Sequence, residues 1–170
     1  MMKDLKNKNF VISGGSSGLG FEIAKQLDSR GANTILLARN EKKLKAAQGE
    51  IGKRCSYYTC DVSSPANTKD TISKILSEHE KIDGLINNAG IWERGLLNSH
   101  SQERIAELFN INTIGMIYLT KEVLVHMKEA SNGEILNISS VAGVEAAAEW
   151  GVYTATKYAV RGFTDSLIKE

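Results

Sequence analysis

Short apolar runs alternate with amphipathic stretches along most of the chain. The apolar runs predict five β-strands, at residues 9–13, 33–38, 55–60, 84–88 and 134–139. The stretches between and after them carry apolar side chains at helical spacing, which predicts helices at residues 18–30, 41–51, 65–80, 102–130 and 151–169. Such alternation is typical of a parallel sheet covered by helices on both faces. We therefore predict an α/β fold with a doubly wound parallel sheet in a three-layer α/β/α arrangement.

Composition narrows the classes of protein that fit this pattern. The 170 residues are 42% hydrophobic and 24% charged, without a repeat or a linker, which predicts a single domain over residues 1–170. A net charge of +1 argues against nucleic-acid binding, and no apolar stretch approaches the length of a membrane span. Cys55 and Cys60 lack metal-ligand spacing, and their odd separation on one strand predicts opposite faces. We expect reduced cysteines, no metal site, no nucleic-acid or membrane partner, and a cytoplasmic location.

A glycine-rich turn follows the first predicted strand. Gly14-Gly15-Ser16-Ser17-Gly18-Leu19-Gly20 leads into a helix that Gly31 ends. Strand, glycine turn and helix in this order let backbone N–H groups approach a pyrophosphate at the positive end of the helix. The spacing is G-x-x-x-G-x-G rather than the usual G-x-G-x-x-G. A Rossmann-type dinucleotide site is the prediction, and the alternative is a turn that only reverses the chain.

The end of the second predicted strand indicates which dinucleotide binds. An acidic residue here would bind the adenosine ribose 2′-hydroxyl and select NAD. The chain has Arg39 instead, and a guanidinium attracts a 2′-phosphate. We therefore predict NADP as the cofactor, with NAD disfavoured, unless Arg39 is an ordinary surface arginine. The nearby run Lys42-Lys43-Leu44-Lys45 is interpreted as the solvated face of a helix.

Tyr153-Thr-Ala-Thr-Lys157 carries the strongest chemical signal, with Ser140 thirteen positions upstream of the tyrosine. Free tyrosine has a pKa near 10, too high to exchange protons readily at neutral pH. Lys157 falls one helical turn from Tyr153 on the same face, where its charge favours the phenolate. Such a group can move a proton onto or off a substrate oxygen. Alone, however, this spacing is more typical of an exposed tyrosine beside a solvated lysine.

One polar residue interrupts the apolar stripe of the long fourth helix. Asn112 falls between Leu108 and Met116, where a buried amide needs a hydrogen-bond partner. The pattern leaves two roles open, namely satisfying a neighbouring backbone group or holding a water in an active site. The three histidines are scattered, and we expect surface positions for His79, His100 and His126.

Taken together, these motifs resemble the short-chain dehydrogenase/reductase family, in its larger single-domain form. The matches run along the whole length, although Ser13 stands where the family more often has threonine. In chain order they are Ser13-Gly14-Gly15-Ser16-Ser17-Gly18-Leu19-Gly20, Asp61-Val62, Asn87-Asn88-Ala89-Gly90, Asn112, Ile138-Ser139-Ser140-Val141-Ala142-Gly143, and Tyr153 with Lys157.

The resemblance implies a role for each matched position. Tyr153 would be the general acid in reduction, and Lys157 would bind the nicotinamide ribose and favour the tyrosinate. Ser140, rather than its neighbour Ser139, would hydrogen-bond the substrate oxygen, and Asn112 would position a water that links the lysine to solvent. The implied cofactor-binding set is Gly14, Ser16, Ser17, Gly18, Leu19, Gly20, Arg39, Asp61, Val62, Asn88, Ala89, Gly90, Tyr153 and Lys157.

The resemblance also implies an activity. The expected protein is an oxidoreductase that transfers a hydride between NADP(H) and the carbonyl or alcohol group of a small molecule, acting as a homodimer or homotetramer. Residues around 91–100 and 143–150 would border the substrate and favour an apolar group, namely Ile91, Trp92, Leu96, Leu97, Val144 and Trp150. The sequence stops at Glu170, before the further strands and substrate loop usual in the family, so we expect a C-terminally incomplete chain. That departure alone favours the alternative, a non-catalytic dinucleotide-binding or structural protein.

Overall fold

Five strands form one parallel sheet in a computed structural model that describes residues 5–170. The strand order is β3-β2-β1-β4-β5, with β1 (Asn9–Ser13), β2 (Asn33–Ala38), β3 (Cys55–Thr59), β4 (Gly84–Asn87) and β5 (Glu134–Asn137). The first three helices are α1 (Gly18–Ser29), α2 (Glu41–Ile51) and α3 (Pro65–His79). They are followed by α4 (Gln102–Phe109), α5 (Gly115–Glu129) and α6 (Gly151–Leu167). This strand order confirms the doubly wound, Rossmann-type prediction.

The two faces of the sheet bury separate apolar cores. Helices α1 and α2 cover the core that contains Ile12, whereas α3 and α5 cover the core that contains Val11. Neighbouring strand residues reach opposite cores because side chains alternate across a strand. Cys55 and Cys60 likewise lie in opposite cores as free thiols, which confirms the prediction for these cysteines. Between residues 5 and 170, no helix is both long and apolar enough to cross a membrane.

The predicted helix over residues 102–130 is present, but its α-helical repeat is interrupted. A π-helical turn at Asn110–Ile114 separates α4 from α5. A π-turn adds a residue to the helical repeat, yet Leu108 and Met116 on its two sides are both buried. Asn112 lies inside this turn, so the interruption falls at the one polar position of the stripe.

Strand β4 ends one residue before its predicted end, and the reason is a side-chain contact. The backbone N–H of Asn88 donates to Ser13 Oγ at 3.0 Å instead of continuing the sheet ladder. The chain therefore leaves the sheet at Asn88. The carboxyl ends of β1, β2, β3 and β4 all open on the same edge, because the strands are parallel.

Close packing between β1 and β4 generates a test of the fold. Phe10 and Gly84 are paired across these strands, and a Cβ at Gly84 would overlap the buried Phe10 ring. We expect Gly84→Ala to lower the free energy of unfolding by about 1–3 kcal/mol, as overpacking does. The matched control is Gly49→Ala in α2, where a Cβ meets nothing within 4 Å. This substitution should raise the free energy of unfolding by about 0.5–1 kcal/mol, because alanine is favoured over glycine within a helix. If urea unfolding shows that both substitutions change the free energy of unfolding in the same direction, this packing is contradicted.

Candidate active site

Hydrogen bonds tie the glycine turn to the end of β4. Ser13 Oγ accepts from the backbone N–H groups of Asn88 and Ala89, at 3.0 and 3.1 Å. In return, Asn88 Nδ2 donates to the carbonyls of Ser13 and Gly14, at 3.1 and 3.3 Å. The hydroxyl at position 13 is what these contacts need, and threonine would also supply it. Ser13 and Asn88 therefore fix the position of the turn relative to the central sheet.

The turn and the start of α1 fit a bound pyrophosphate. Gly14 and Gly18 have φ values of 66° and 57°, in the left-handed region that glycine adopts readily. A Cβ at Gly20 would lie 2.5 Å from Asn88 Nδ2, so only glycine fits there without displacement. Ser17 makes no side-chain cap and the first turn of α1 has no acidic residue, which leaves backbone N–H groups for an anion.

A cleft of about 220 Å³ lies along the carboxyl ends of β1 to β4. Predicted cofactor residues that line it are Gly14, Ser16, Ser17, Arg39, Asp61, Val62, Ala89 and Gly90. Gly20 and Asn88 do not line the cleft but shape the turn beside it, while Gly18 and Leu19 are exposed at the start of α1.

Lys43 also lines the cleft, next to Arg39 and Asn40. The three lysines of the run Lys42–Lys45 are exposed, as the interpretation of a solvated face predicts, while Leu44 is buried in the core. Asn40 caps α2 by accepting from the backbone N–H of Lys43 at 3.0 Å. The cap holds the first turn of α2 beside the cleft, so Lys43 joins Arg39, the residue that follows β2, at this end.

The Asp61 carboxylate is held in place at the end of β3. Its Oδ1 accepts from the Ser63 backbone N–H at 3.0 Å and from the Ser63 hydroxyl at 2.7 Å. Val62 is buried, and its carbonyl faces the first residue of α5, since a Cβ at Gly115 would lie 2.8 Å from it. Both residues are thus fixed in orientation at the cleft wall.

Asn112 is buried within the π-turn and uses both ends of its amide. Oδ1 accepts from Ile91 N at 2.7 Å, and Nδ2 donates to Ile91 O at 2.8 Å and to Thr156 Oγ1 at 3.2 Å. Of the two roles left open by the sequence, the side chain performs the first, satisfying backbone groups. The water-positioning role implied by the resemblance stays a prediction for Asn112.

Helix α6 places Lys157 and Tyr153 beside one another, although neither residue lines the cleft itself. Lys157 Nζ is 5.8 Å from the centre of the Tyr153 ring and donates to Ile138 O at 3.0 Å. Burial lowers the pKa of Lys157, because desolvation disfavours the charged form. A Cβ at Gly90 would lie 3.8 Å from Nζ, so the ammonium group reaches the residue where β4 opens into the cleft.

The two neighbouring serines after β5 have different partners. Ser140 Oγ accepts from the Ala142 backbone N–H at 3.2 Å, at the start of the 3₁₀ turn Val141–Gly143. Ser139 Oγ donates to the Lys157 carbonyl at 3.3 Å and is thereby committed to the packing of α6. As an accepting contact leaves its proton free, Ser140 can still donate to a ligand.

Charged contacts hold the loop after β4, and the sequence analysis missed them. Glu93 Oε1 contacts His100 Nδ1 at 3.0 Å, and the same carboxylate pairs with Arg104 on α4. Arg94 Nε donates to Glu149 Oε2 at 2.5 Å. The His100 side chain is only 3% exposed, so its predicted surface position is wrong. The partners Arg94 and Glu149 are far apart in the sequence, so no local pattern could have indicated their contact.

Comparison with known proteins identifies the family. The family model for short chain dehydrogenase matches residues 8–170. The chain belongs to this oxidoreductase family. An uncharacterized oxidoreductase of Staphylococcus saprophyticus is 35% identical over 99% of this chain and 69% of its own length. For the 3-oxoacyl-acyl-carrier-protein reductase of Chlamydia pneumoniae, the identity is 33% over 98% of this chain and 68% of that protein.

Solved structures of this family share the fold and differ in the cofactor that they contain. A metagenomic short-chain oxidoreductase in complex with NADP has a TM-score of 0.92 and 32% identity, over 97% of this chain and 76% of the other. An NAD⁺-bound xylitol dehydrogenase has a TM-score of 0.93 and 26% identity, over 97% and 65%. The fold therefore accommodates either dinucleotide, and the choice depends on local residues.

The buried ammonium of Lys157 predicts a pH-dependent stability. Its pKa in the folded protein lies below the ordinary value of 10.5, so the unfolded chain binds more protons between these two values. The free energy of unfolding therefore rises with pH through this window. Below it, the folded protein bears the full cost of burying the charged ammonium group. We expect Lys157→Met to increase the free energy of unfolding at pH 7, by an amount that shrinks as the pH approaches 10.5.

Urea unfolding between pH 7 and pH 10 measures this difference. The control is Lys25→Met. The contact with Glu50 raises the pKa of Lys25, so this lysine's contribution to stability changes with pH in the opposite direction. A Lys157→Met variant whose stability relative to wild type does not change with pH would contradict the desolvation of this lysine.

Proposed function

We propose that this protein is an NADP-dependent oxidoreductase that interconverts a carbonyl and an alcohol group on a small molecule. The observation that supports it best is the contact between the Tyr153 ring and the buried Lys157 ammonium, which lies next to Gly90 in the cleft lining. Family membership supports an oxidoreductase that acts on CH–OH or C=O groups. The pairing supplies the proton chemistry that such a reaction needs.

The proposed chemistry is divided among Tyr153, Lys157 and Ser140. Tyr153 donates a proton to the substrate oxygen in reduction, and its phenolate accepts one in the reverse direction. The Lys157 ammonium favours the phenolate that reduction leaves behind. Ser140 donates a hydrogen bond to the same oxygen, as a fixed dipole that need not reorganise. NADPH, when bound, supplies the hydride from its nicotinamide ring.

The β2 end of the cleft supports NADP over NAD in this proposal. Arg39 and Lys43 both line the cleft there, and neither Ala38 nor Asn40 beside them is acidic. Two cations can compensate a 2′-phosphate, whereas a carboxylate would repel it. The NADP complex of a related oxidoreductase is consistent with this choice, and the NAD⁺-bound relative makes an experimental test necessary.

Assembly and location complete the proposal. A homodimer or homotetramer is proposed from membership of the family. The cytoplasmic location stays a prediction from the sequence.

Tyr153→Phe tests the proposed chemistry, because it removes the proton donor and keeps the ring. NADPH oxidation is measured against a panel of ketones and aldehydes, and we expect kcat to fall by about 100-fold or more. NADPH binding, followed by fluorescence titration, should persist in the variant. If wild type and Tyr153→Phe both bind NADPH and are equally inert, the protein is a non-catalytic dinucleotide-binding module instead.

Arg39→Asp tests the cofactor choice. The substitution replaces a cation with a group that repels the 2′-phosphate and can accept from a ribose 2′-hydroxyl. Since a hydrogen bond to a charged group contributes about 1.5–3 kcal/mol, the ratio of kcat/KM for NADPH over NADH should fall about 10- to 100-fold. The control is Arg30→Asp, outside the cleft at the end of α1. An unchanged ratio would remove Arg39 from the proposal.

A further inference from the structure

Glu149 joins the two loops that border the proposed reaction centre. Its carboxylate accepts from Arg94 Nε at 2.5 Å, and its backbone carbonyl accepts from Gly95 N at 2.9 Å. A single residue, two positions before α6, thus contacts two consecutive residues of the loop after β4. Two adjacent contacts fix the orientation of that loop as well as its distance.

The backbone of Glu149 is held in an uncommon conformation. Its φ is 67°, in the left-handed region that non-glycine residues rarely adopt. Glu149 directly precedes Trp150, whose carbonyl accepts from Thr154 N at 2.7 Å in the first turn of α6. Such a conformation persists only where the surroundings hold it. Its two contacts therefore lie four residues from Tyr153 and set how the chain enters the helix that carries it.

The opposite side of the same loop is also anchored. Ile91 is bonded to Asn112, and Glu93 is paired with His100 and Arg104. The partners in these contacts lie on α4, just before it, or in the π-turn after it. The contact with Glu149 connects the loop to the segment that leads into α6. Between the anchors, the loop exposes apolar side chains to 57–71%, namely those of Trp92, Leu96 and Leu97. A tied loop that exposes large apolar groups offers a defined surface to an apolar ligand.

We propose that Arg94 and Glu149 form a clamp that positions the substrate entrance, with Glu149 as a positioning residue for carbonyl substrates that carry an apolar group. The inference rests on the proposed function and adds to it the residues that shape the entrance. Neither Arg94 nor Glu149 lines the cleft that contains the proposed cofactor residues, so in this proposal the clamp affects binding of the substrate and not of NADPH.

Charge reversal separates the clamp from a general loss of stability. Arg94→Glu and Glu149→Arg each bring like charges together, and the double variant restores the pair in the opposite sense. With the best ketone or aldehyde of the panel, each single variant should raise KM about 10-fold, and the double variant should recover to within about 3-fold of wild type. The Kd for NADPH should stay unchanged in all three. Lys25→Glu is the matched control, since its pair with Glu50 joins α1 to α2 outside the cleft.

A second readout does not depend on turnover. The Gly95 amide is protected by Glu149 O, and hydrogen exchange at Gly95 should become faster in both single variants and slow again in the double variant. Unchanged KM values in an active protein, or a double variant no better than the singles, would overturn the clamp alone. A wild-type protein that binds NADPH but turns over no carbonyl would overturn the proposed function, and the clamp with it.

Discussion

The arrangement of this site depends on one buried amide. Where the chain leaves β4, the N–H and C=O of Ile91 have no neighbouring strand, and buried backbone groups need partners. Asn112 supplies both, with its Oδ1 and Nδ2 in the places that a strand would otherwise occupy. The π-turn belongs to the same constraint, because it contains the residue whose side chain must reach across to the sheet edge.

Further hydrogen bonds carry this constraint to the proposed catalytic helix. Asn112 Nδ2 also donates to Thr156 Oγ1, which donates in turn to the Tyr153 carbonyl at 2.7 Å. Thr113 donates to the Thr156 carbonyl at 3.1 Å, so two adjacent residues of the π-turn hold one residue of α6. A shift of the turn would therefore displace the helix relative to Gly90, since the bonds from Asn112 and Thr113 to Thr156 are buried and each leaves an unsatisfied group when broken.

Local patterns predicted the strands, the glycine turn and the opposite faces of the cysteines, because each depends on backbone geometry and burial close in sequence. They did not predict the π-turn, because a pair of apolar residues eight positions apart, such as Leu108 and Met116, is compatible with a buried face whether or not a π-turn lies between them. The cleft position of Lys43 depends on how the α2 cap turns towards the sheet edge, and the Arg94–Glu149 contact depends on two loops meeting. Both are properties of the assembled fold.

The environment of Lys157 links stability to the proposed ligand. An ammonium group has three donors, and Nζ makes its hydrogen bond to Ile138 O while the Tyr153 ring lies beside it. Burial therefore disfavours the charged form, which is the form that the proposed chemistry uses. Ribose hydroxyls are acceptors that can satisfy the remaining donors, so a cofactor bound there would offset part of the desolvation cost. Occupancy of the cleft and stability of the fold are then coupled, because a ligand that binds only the folded chain stabilises it.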